Sequence, residues 1–226
     1  MVCNEVFDAE LDKVERPERP IPSGKASITG ASILGAILLS GGILAAWQVS
    51  VVSAAIAVTI ALLALLYDWK GKHNTLLGPV NMGACRGGNL LLGVSAIPAM
   101  VESLWFIALI PIVYIAAITM VSRGEVHGGN TAALKAALLM YLVVFAGIFS
   151  LGLLPQFNLL YSIPFLLLFA FLIFPPLVRA MPAKEPGLII KAVKAGILSL
   201  IVMNASIAAG FAGWQYGLMV LLLLPV

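Results

Sequence analysis

The chain has 226 residues, of which 10% are charged and 62% hydrophobic, and its mean hydropathy is +1.08; ordinary globular domains carry about 25% charged residues. So few charges cannot cover a water-exposed surface, so most of the chain is expected to face lipid. Only two cysteines exclude a disulfide-stapled secreted domain, two histidines and two cysteines far apart argue against a His/Cys metal site, and a net charge of +3 scattered through loops gives no footprint for nucleic acid.

Residues 1–25 are unlike the rest and hold ten of the charged side chains. Asn4, Asp8 and Asp12 recur at i, i+4 and i+8, which on a helix stacks them on one face, a turn apart. Two carboxylates and an amide oxygen suit a hard cation, and Mg²⁺ held this way keeps positions for water and phosphate oxygens. A solvated helix end fits the spacing equally well, because Glu5, Glu10, Glu15 and Glu18 surround the three. Residues 16–25, Arg-Pro-Glu-Arg-Pro-Ile-Pro-Ser-Gly-Lys, form a proline-punctuated loop. Each proline fixes φ and biases its predecessor to an extended form, so Arg19 is presented in a set direction.

Apolar runs of the length that crosses hydrocarbon then follow, near 27–47, 49–67, 76–97, 103–122, 131–152, 157–178, 187–208 and 211–226. The predicted fold is all-α, a polytopic transmembrane bundle of about eight spans. Residues 1–226 form a single membrane domain, with 1–25 as its polar lead segment and 27–226 as its spans. Tight turns such as Trp47-Gln48 make neighbouring helices antiparallel. Twelve of the thirteen lysines and arginines lie before the first span or in alternate turns, around 70–72, 123–135 and 179–194. Positive loops stay cytoplasmic, so the lead segment is placed on that side of the plasma (inner) membrane.

Three more places carry polar residues against this apolar background. The first is Tyr67-Asp68-Trp69-Lys70-Gly71-Lys72-His73 after the second span. There Tyr67 and Trp69 serve equally as interfacial anchors, and Lys70 and Lys72 as a positive-inside loop. The second is Arg86, the one basic residue left inside a span. An ionisable residue there is functional or paired within the bundle, for instance with Asn89, and Gly83-x-x-x-Gly87 around it favours close helix approach. The third is Ser122-Arg123-Gly124-Glu125-Val126-His127-Gly128-Gly129-Asn130. Cys3 and Cys85 have no activating neighbours and are expected to pack.

N-x-x-x-D-x-x-x-D followed shortly by R-P-x-P-S-G resembles the first aspartate-rich motif of the UbiA superfamily of membrane prenyltransferases. The resemblance implies that Asn4, Asp8 and Asp12 bind Mg²⁺, which holds the diphosphate of an isoprenoid donor, with Arg19 in the diphosphate pocket. It continues through 67–73, where Tyr67 matches the family's tyrosine-plus-lysine loop best and Lys72 fits better than Lys70, and through residues 77–86. Two departures are expected. Family members have two spans before this motif, so the first helix and nearly all of the second are missing. The second family motif, D-x-x-x-D, is replaced: aligning its central acid with Glu125 puts Arg123 and His127 where the aspartates would be. That alteration is similar to the EboC-like branch.

The implied function is Mg²⁺-dependent intramembrane transfer of a prenyl group from an isoprenyl diphosphate to an unidentified acceptor in the lipid bilayer. Asp8, Asp12, Arg19 and Lys72 would be catalytic, with Tyr67, Arg86, Arg123 and His127 also contacting substrate. The alternative is a non-catalytic isoprenoid- or lipid-binding membrane protein, such as part of an export system, with a degenerate second motif. An ion-coupled transporter fits less well, since every acid except Glu102 is assigned to the cytoplasmic face. Arg123 and His127, four residues apart, share a helical face. An arginine fork can bond two phosphate oxygens without a metal, and a histidine can add a donor. Arg123→Ala is therefore expected to weaken diphosphate binding by at least roughly 1.5 kcal/mol, the scale of a charged hydrogen bond. Unchanged binding by the folded variant would reduce Arg123 to a positive-inside residue.

Overall fold

The computed structural model describes residues 2–71, 74, 77–122, 130–183 and 185–224, with no strand among them. Two short helices, α1 (Val2–Phe7) and α2 (Ala9–Glu15), precede α3 (Ile28–Val49), α4 (Val51–Trp69) and α5 (Leu77–Val94). Helix α6 (Pro98–Leu104) runs through a 3₁₀ turn into α7 (Leu109–Ser122). The remainder is α8 (Thr131–Ser150), α9 (Leu159–Ala183), α10 (Pro186–Ala212) and α11 (Trp214–Leu221). These helices divide into two compact units, Met1–Ile112 and Val113–Val226.

Six helical stretches among the described residues are long and apolar enough to cross a bilayer: Ile28–Val49, Val51–Trp69, Pro98–Ser122, Thr131–Leu153, Leu159–Ala183 and Pro186–Ala212. The chain is a multi-pass integral membrane protein. Large apolar side chains point outward along these helices, as at Ile37, Leu62, Leu139 and Phe171, the arrangement that lipid and not water stabilises. Six is fewer than the eight runs read from the sequence. Leu77–Val94 is a helix of adequate length, about 27 Å at 1.5 Å per residue, but five glycines, two asparagines and Arg86 dilute its hydropathy. In the final run the described helix is Trp214–Leu221, 8 residues, or about 12 Å, too short to cross. The first turn also lies two residues beyond Trp47-Gln48, at Ser50, whose Oγ accepts from the Ser53 N–H at 3.0 Å and caps α4.

In the first unit, Ser50 continues into a buried hydroxyl chain. Ser95 Oγ donates to Ser53 Oγ at 2.8 Å, and Ser53 Oγ donates to the Ser95 carbonyl at 3.1 Å. This ties the start of α4 to the end of α5. Along α5 the sequence pattern Gly83-x-x-x-Gly87 meets the 3₁₀ turn and α7 backbone to backbone. A Cβ at Gly83 would lie 2.9 Å from the Ile112 carbonyl oxygen, and one at Gly87 only 2.7 Å from that of Ala108. Gly88 meets Ile60 of α4 on another face. A helix of low hydropathy is thus held by close backbone approach, as small-residue interfaces are in lipid.

The second unit is organised around aromatic side chains. Tyr114 of α7 is fully buried and its hydroxyl donates to the Gly196 carbonyl of α10 at 2.7 Å. Its ring packs on Tyr141 of α8 and Phe169 of α9, at centroid distances of 5.4 and 5.3 Å, and Phe145 stacks on Phe169 at 4.8 Å. Such pairs add about 0.5–1.5 kcal/mol each beyond area burial.

The glycine contacts give a paired test on one helix. Gly87→Ala should destabilise the protein by about 1–3 kcal/mol through overpacking, read as a lower unfolding midpoint in detergent. Gly93→Ala, whose Cβ would meet nothing within 4 Å, should be neutral or slightly stabilising. Equal midpoints for the two variants would mean that the α5–α7 backbones are not in contact.

Candidate functional site

Asp8 interrupts the regular geometry between α1 and α2, with φ −93° and ψ 0°, yet the helical register runs through it. The Asp8 N–H donates to the Asn4 carbonyl at 2.9 Å, Asp12 N–H to the Asp8 carbonyl at 2.8 Å and Arg16 N–H to the Asp12 carbonyl at 2.9 Å. Each is an i to i−4 bond, so Asn4, Asp8 and Asp12 stand in one row, as their spacing predicts. Asn4 Nδ2 donates to Asp8 Oδ2 at 2.9 Å. Glu10 lies elsewhere, exposed and paired with Lys13 at 2.7 Å.

The row is held against the membrane helices. Helix α1 packs on α3 and α4, and at Gly35 a Cβ would come 3.2 Å from the Cys3 sulfur, so Cys3 packs as expected. The proline loop folds back over α2 and bonds to itself. Arg19 N–H donates to the Arg16 carbonyl at 3.1 Å, Ser23 N–H to the Arg19 carbonyl at 3.0 Å and Ala26 N–H to the Pro20 carbonyl at 3.0 Å. Gly24 closes the loop at φ +75°, a conformation that costs a residue with a Cβ.

That loop delivers Arg19 to the aspartate row. Its Nη1 lies 2.9 Å from Asp12 Oδ2 and 3.1 Å from Glu5 Oε1. The Asp12 side chain is 5% exposed and that of Arg19 23%. Glu5 Oε2 is buried with no hydrogen-bond partner among the described residues. Glu5 borders an apolar cavity of about 400 Å³ walled by Val2, Pro20, Ile21, Ala31 and Leu34. Glu5 is the site residue that the sequence reading passed over as one of several surrounding acids. Its spacing of seven from Asp12, two helical turns, was the available signal.

Tyr67 belongs to a second group, with Gly71, Asn81 and Cys85. Tyr67 ends α4 half-buried, with Cδ2 3.5 Å from where a Cβ on Gly71 would lie and buried Asn81 3.2 Å from the same point; the Cys85 sulfur approaches Asn81 Oδ1 at 3.9 Å. Arg86 is exposed on α5, and its ordinary alternative, a hydrogen bond to Asn89, does not occur among the described residues. Lys72, Arg123 and His127 lie outside the described residues.

The chain matches a known family along most of its length: the model of the UbiA prenyltransferase family covers residues 1–186. The chain belongs to the UbiA prenyltransferase family. A digeranylgeranylglyceryl phosphate synthase of Methanoculleus marisnigri is 36% identical over 92 residues, 41% of this chain and 33% of that protein. The enzyme of the same name from Thermococcus kodakarensis is 33% identical over 94 residues, 42% of this chain and 34% of its own length. The match therefore spans about a third of these relatives. A solved structure concerned with digeranylgeranylglyceryl phosphate synthase in membranes superposes with a TM-score of 0.72 at 21% identity, over 95% of this chain and 80% of that one, which establishes the shared fold.

The family implies a divalent cation, and the donor set fits one. Among the described residues no three His, Cys, Asp or Glu converge as a metal cluster. Two carboxylates and an amide oxygen, all hard donors, do suit Mg²⁺, which retains water and takes phosphate oxygens in its remaining positions. Asn4, Asp8 and Asp12 would hold it. Asp8→Ala and Asp12→Asn should each remove specific binding of Mn²⁺, a paramagnetic stand-in for Mg²⁺, while Glu10→Ala should leave it within about twofold, the scale of a screened surface charge. Equal losses in all three variants would mean a diffuse acidic surface.

Proposed function

We propose that the protein transfers an isoprenyl group from its diphosphate to an acceptor within the membrane, with the site on the cytoplasmic side of the plasma membrane. The observation that carries this reading is the juxtaposition of the Asn4–Asp8–Asp12 row with Arg19 beside an apolar cavity. An allylic diphosphate has a polyanionic head and a greasy chain, so it needs cationic groups next to an apolar wall. Bound at Asn4, Asp8 and Asp12, Mg²⁺ would supply charge neutralisation and Lewis acidity toward the leaving diphosphate.

The chain's own residues account for the rest. Arg19 uses only Nη1 on its carboxylates, which leaves guanidinium donors for phosphate oxygens. Lys72 would add positive charge where negative charge grows as the C–O bond breaks, stabilising that change most in a water-poor site. Tyr67 and Arg86 would border the substrate, and Arg123 with His127 would clamp the diphosphate directly. Apolar walls would keep water from the allylic cation until the acceptor traps it. No covalent nucleophile is needed.

The name of the relatives supports a first substrate pair: a geranylgeranyl diphosphate donor and a geranylgeranylglyceryl phosphate acceptor. The second reading, a non-catalytic isoprenoid binder of the EboC-like kind, is favoured by Arg123 and His127 standing in place of two acids. Membranes carrying the protein should release diphosphate from labelled geranylgeranyl diphosphate only when Mg²⁺ and the acceptor are both present, and farnesyl and longer donors will define chain length. Tight binding without release under every condition would replace the enzyme reading with the binder.

A further inference from the structure

Glu5 and Arg19 carry an inference that rests on that reading and extends it. One nitrogen of Arg19 is shared between two carboxylates, Asp12 at 2.9 Å and Glu5 at 3.1 Å. Asp12 belongs to the row that suits a divalent cation, whereas Glu5 is turned toward the loop and the cavity. A cation at the row competes with Arg19 for Asp12 and has no such claim on Glu5. The second Glu5 oxygen is buried and has no hydrogen-bond partner among the described residues, so Glu5 has the capacity to accept a second guanidinium bond. The Arg19 backbone is pinned on both sides by loop hydrogen bonds, so its side chain pivots from a fixed base and is not carried off with the loop.

We propose that Arg19 is an exchangeable internal counter-ion and that Glu5 is its positioning residue. Without a divalent cation Arg19 neutralises Asp12. When the row takes up a cation, Arg19 yields Asp12, moves onto Glu5 and turns its remaining donors to the diphosphate. The site thereby exposes its phosphate-binding arginine only when the metal that must accompany the diphosphate is in place. No covalent step is involved.

The test uses the full chain in lipid nanodiscs, with two probes: Mn²⁺ alone, read by electron paramagnetic resonance, and geranylgeranyl thiolodiphosphate, an unreactive donor analogue, read by calorimetry in Mn²⁺. Removing the competitor in Arg19→Gln should tighten Mn²⁺ binding at least about fivefold, the scale of one ion pair converted to affinity. Glu5→Gln keeps the shape and removes a negative charge beside an anionic ligand, so electrostatics alone predicts tighter analogue binding. The tether predicts the reverse, at least about threefold weaker binding. In an Arg19→Gln background, where there is nothing to tether, Glu5→Gln should no longer weaken it.

Unchanged or weaker Mn²⁺ binding in Arg19→Gln overturns the exchange, and unchanged or tighter analogue binding in Glu5→Gln overturns the tether. A loss of Mn²⁺ in Glu5→Gln as large as in Asp8→Ala makes Glu5 a ligand and also overturns it. If the wild type binds Mn²⁺ but no analogue, the prenyl-diphosphate reading fails while the Arg19→Gln measurement still decides the exchange.

Discussion

A carboxylate with 5% of its side chain exposed, on a short helix that follows one packed against two membrane-spanning helices, has to be paired, and Arg19 pairs Asp12. An unpaired charge in such surroundings is far more costly than a paired one. The geometry of residues 1–26 follows from meeting that requirement. The loop after α2 must double back, three prolines and Gly24 shape the reversal, and its own backbone hydrogen bonds hold the bend. Helix α1 must also be anchored so that Glu5 stands on the same side as Asp12, and the Cys3–Gly35 contact with α3 does this.

Lipid imposes a second constraint, that backbone polar groups be satisfied within the protein. Helices meet it, and in the apolar ones the side chains can simply face outward. Helix α5 cannot follow that pattern, with Asn81, Arg86 and Asn89 in 18 residues. It is retained because Gly83 and Gly87 let it lie against the Ala108–Ile112 backbone while Gly88 admits Ile60. The polar side chains of α5 are then distributed among distinct surroundings: Asn81 is buried near Tyr67 and Gly71, and Arg86 is exposed. The second unit solves its burial problem with rings, two of which seat on glycines: Phe157 against Gly210 and Phe165 against Gly217. Within the ring cluster around Phe169 the Tyr114 hydroxyl is satisfied by a helix carbonyl.

The arrangement suits chemistry on an amphiphile whose head is a polyanion. Carboxylate and amide oxygens, an arginine and an apolar cavity occur within one short stretch of chain and the start of α3. Electrostatic stabilisation of a leaving group needs donors held in place before the bond breaks, and under the proposed function the self-bonded proline loop would be such a support. Membership of the UbiA prenyltransferase family rests on most of the chain, whereas the measured identity to the synthases rests on about 90 residues. Fold and family are therefore firmly placed, and the choice of donor and acceptor is the proposal that chemistry must settle.

Local periodicity and composition were sufficient for much of this. The all-helical membrane class follows from the hydropathy, six of the runs became spans close to their predicted limits, and the i, i+4, i+8 spacing of Asn4, Asp8 and Asp12 became a row because helical geometry translates spacing directly into a face. Gly83-x-x-x-Gly87 announced a close approach for the same reason. What lay beyond the sequence depended on which surfaces met. The partner of those glycines, the chaining of Ser53 to Ser95 across 42 residues and the Tyr114–Gly196 bond across 82 are long-range choices with no local pattern. The same holds for Arg19 and Glu5. The prolines signalled that Arg19 would be rigidly presented, but only the folded loop decided that it turns inward onto Asp12 and Glu5. An ion pair is set by the path of the chain between its members, and that path depends on packing that no spacing rule encodes.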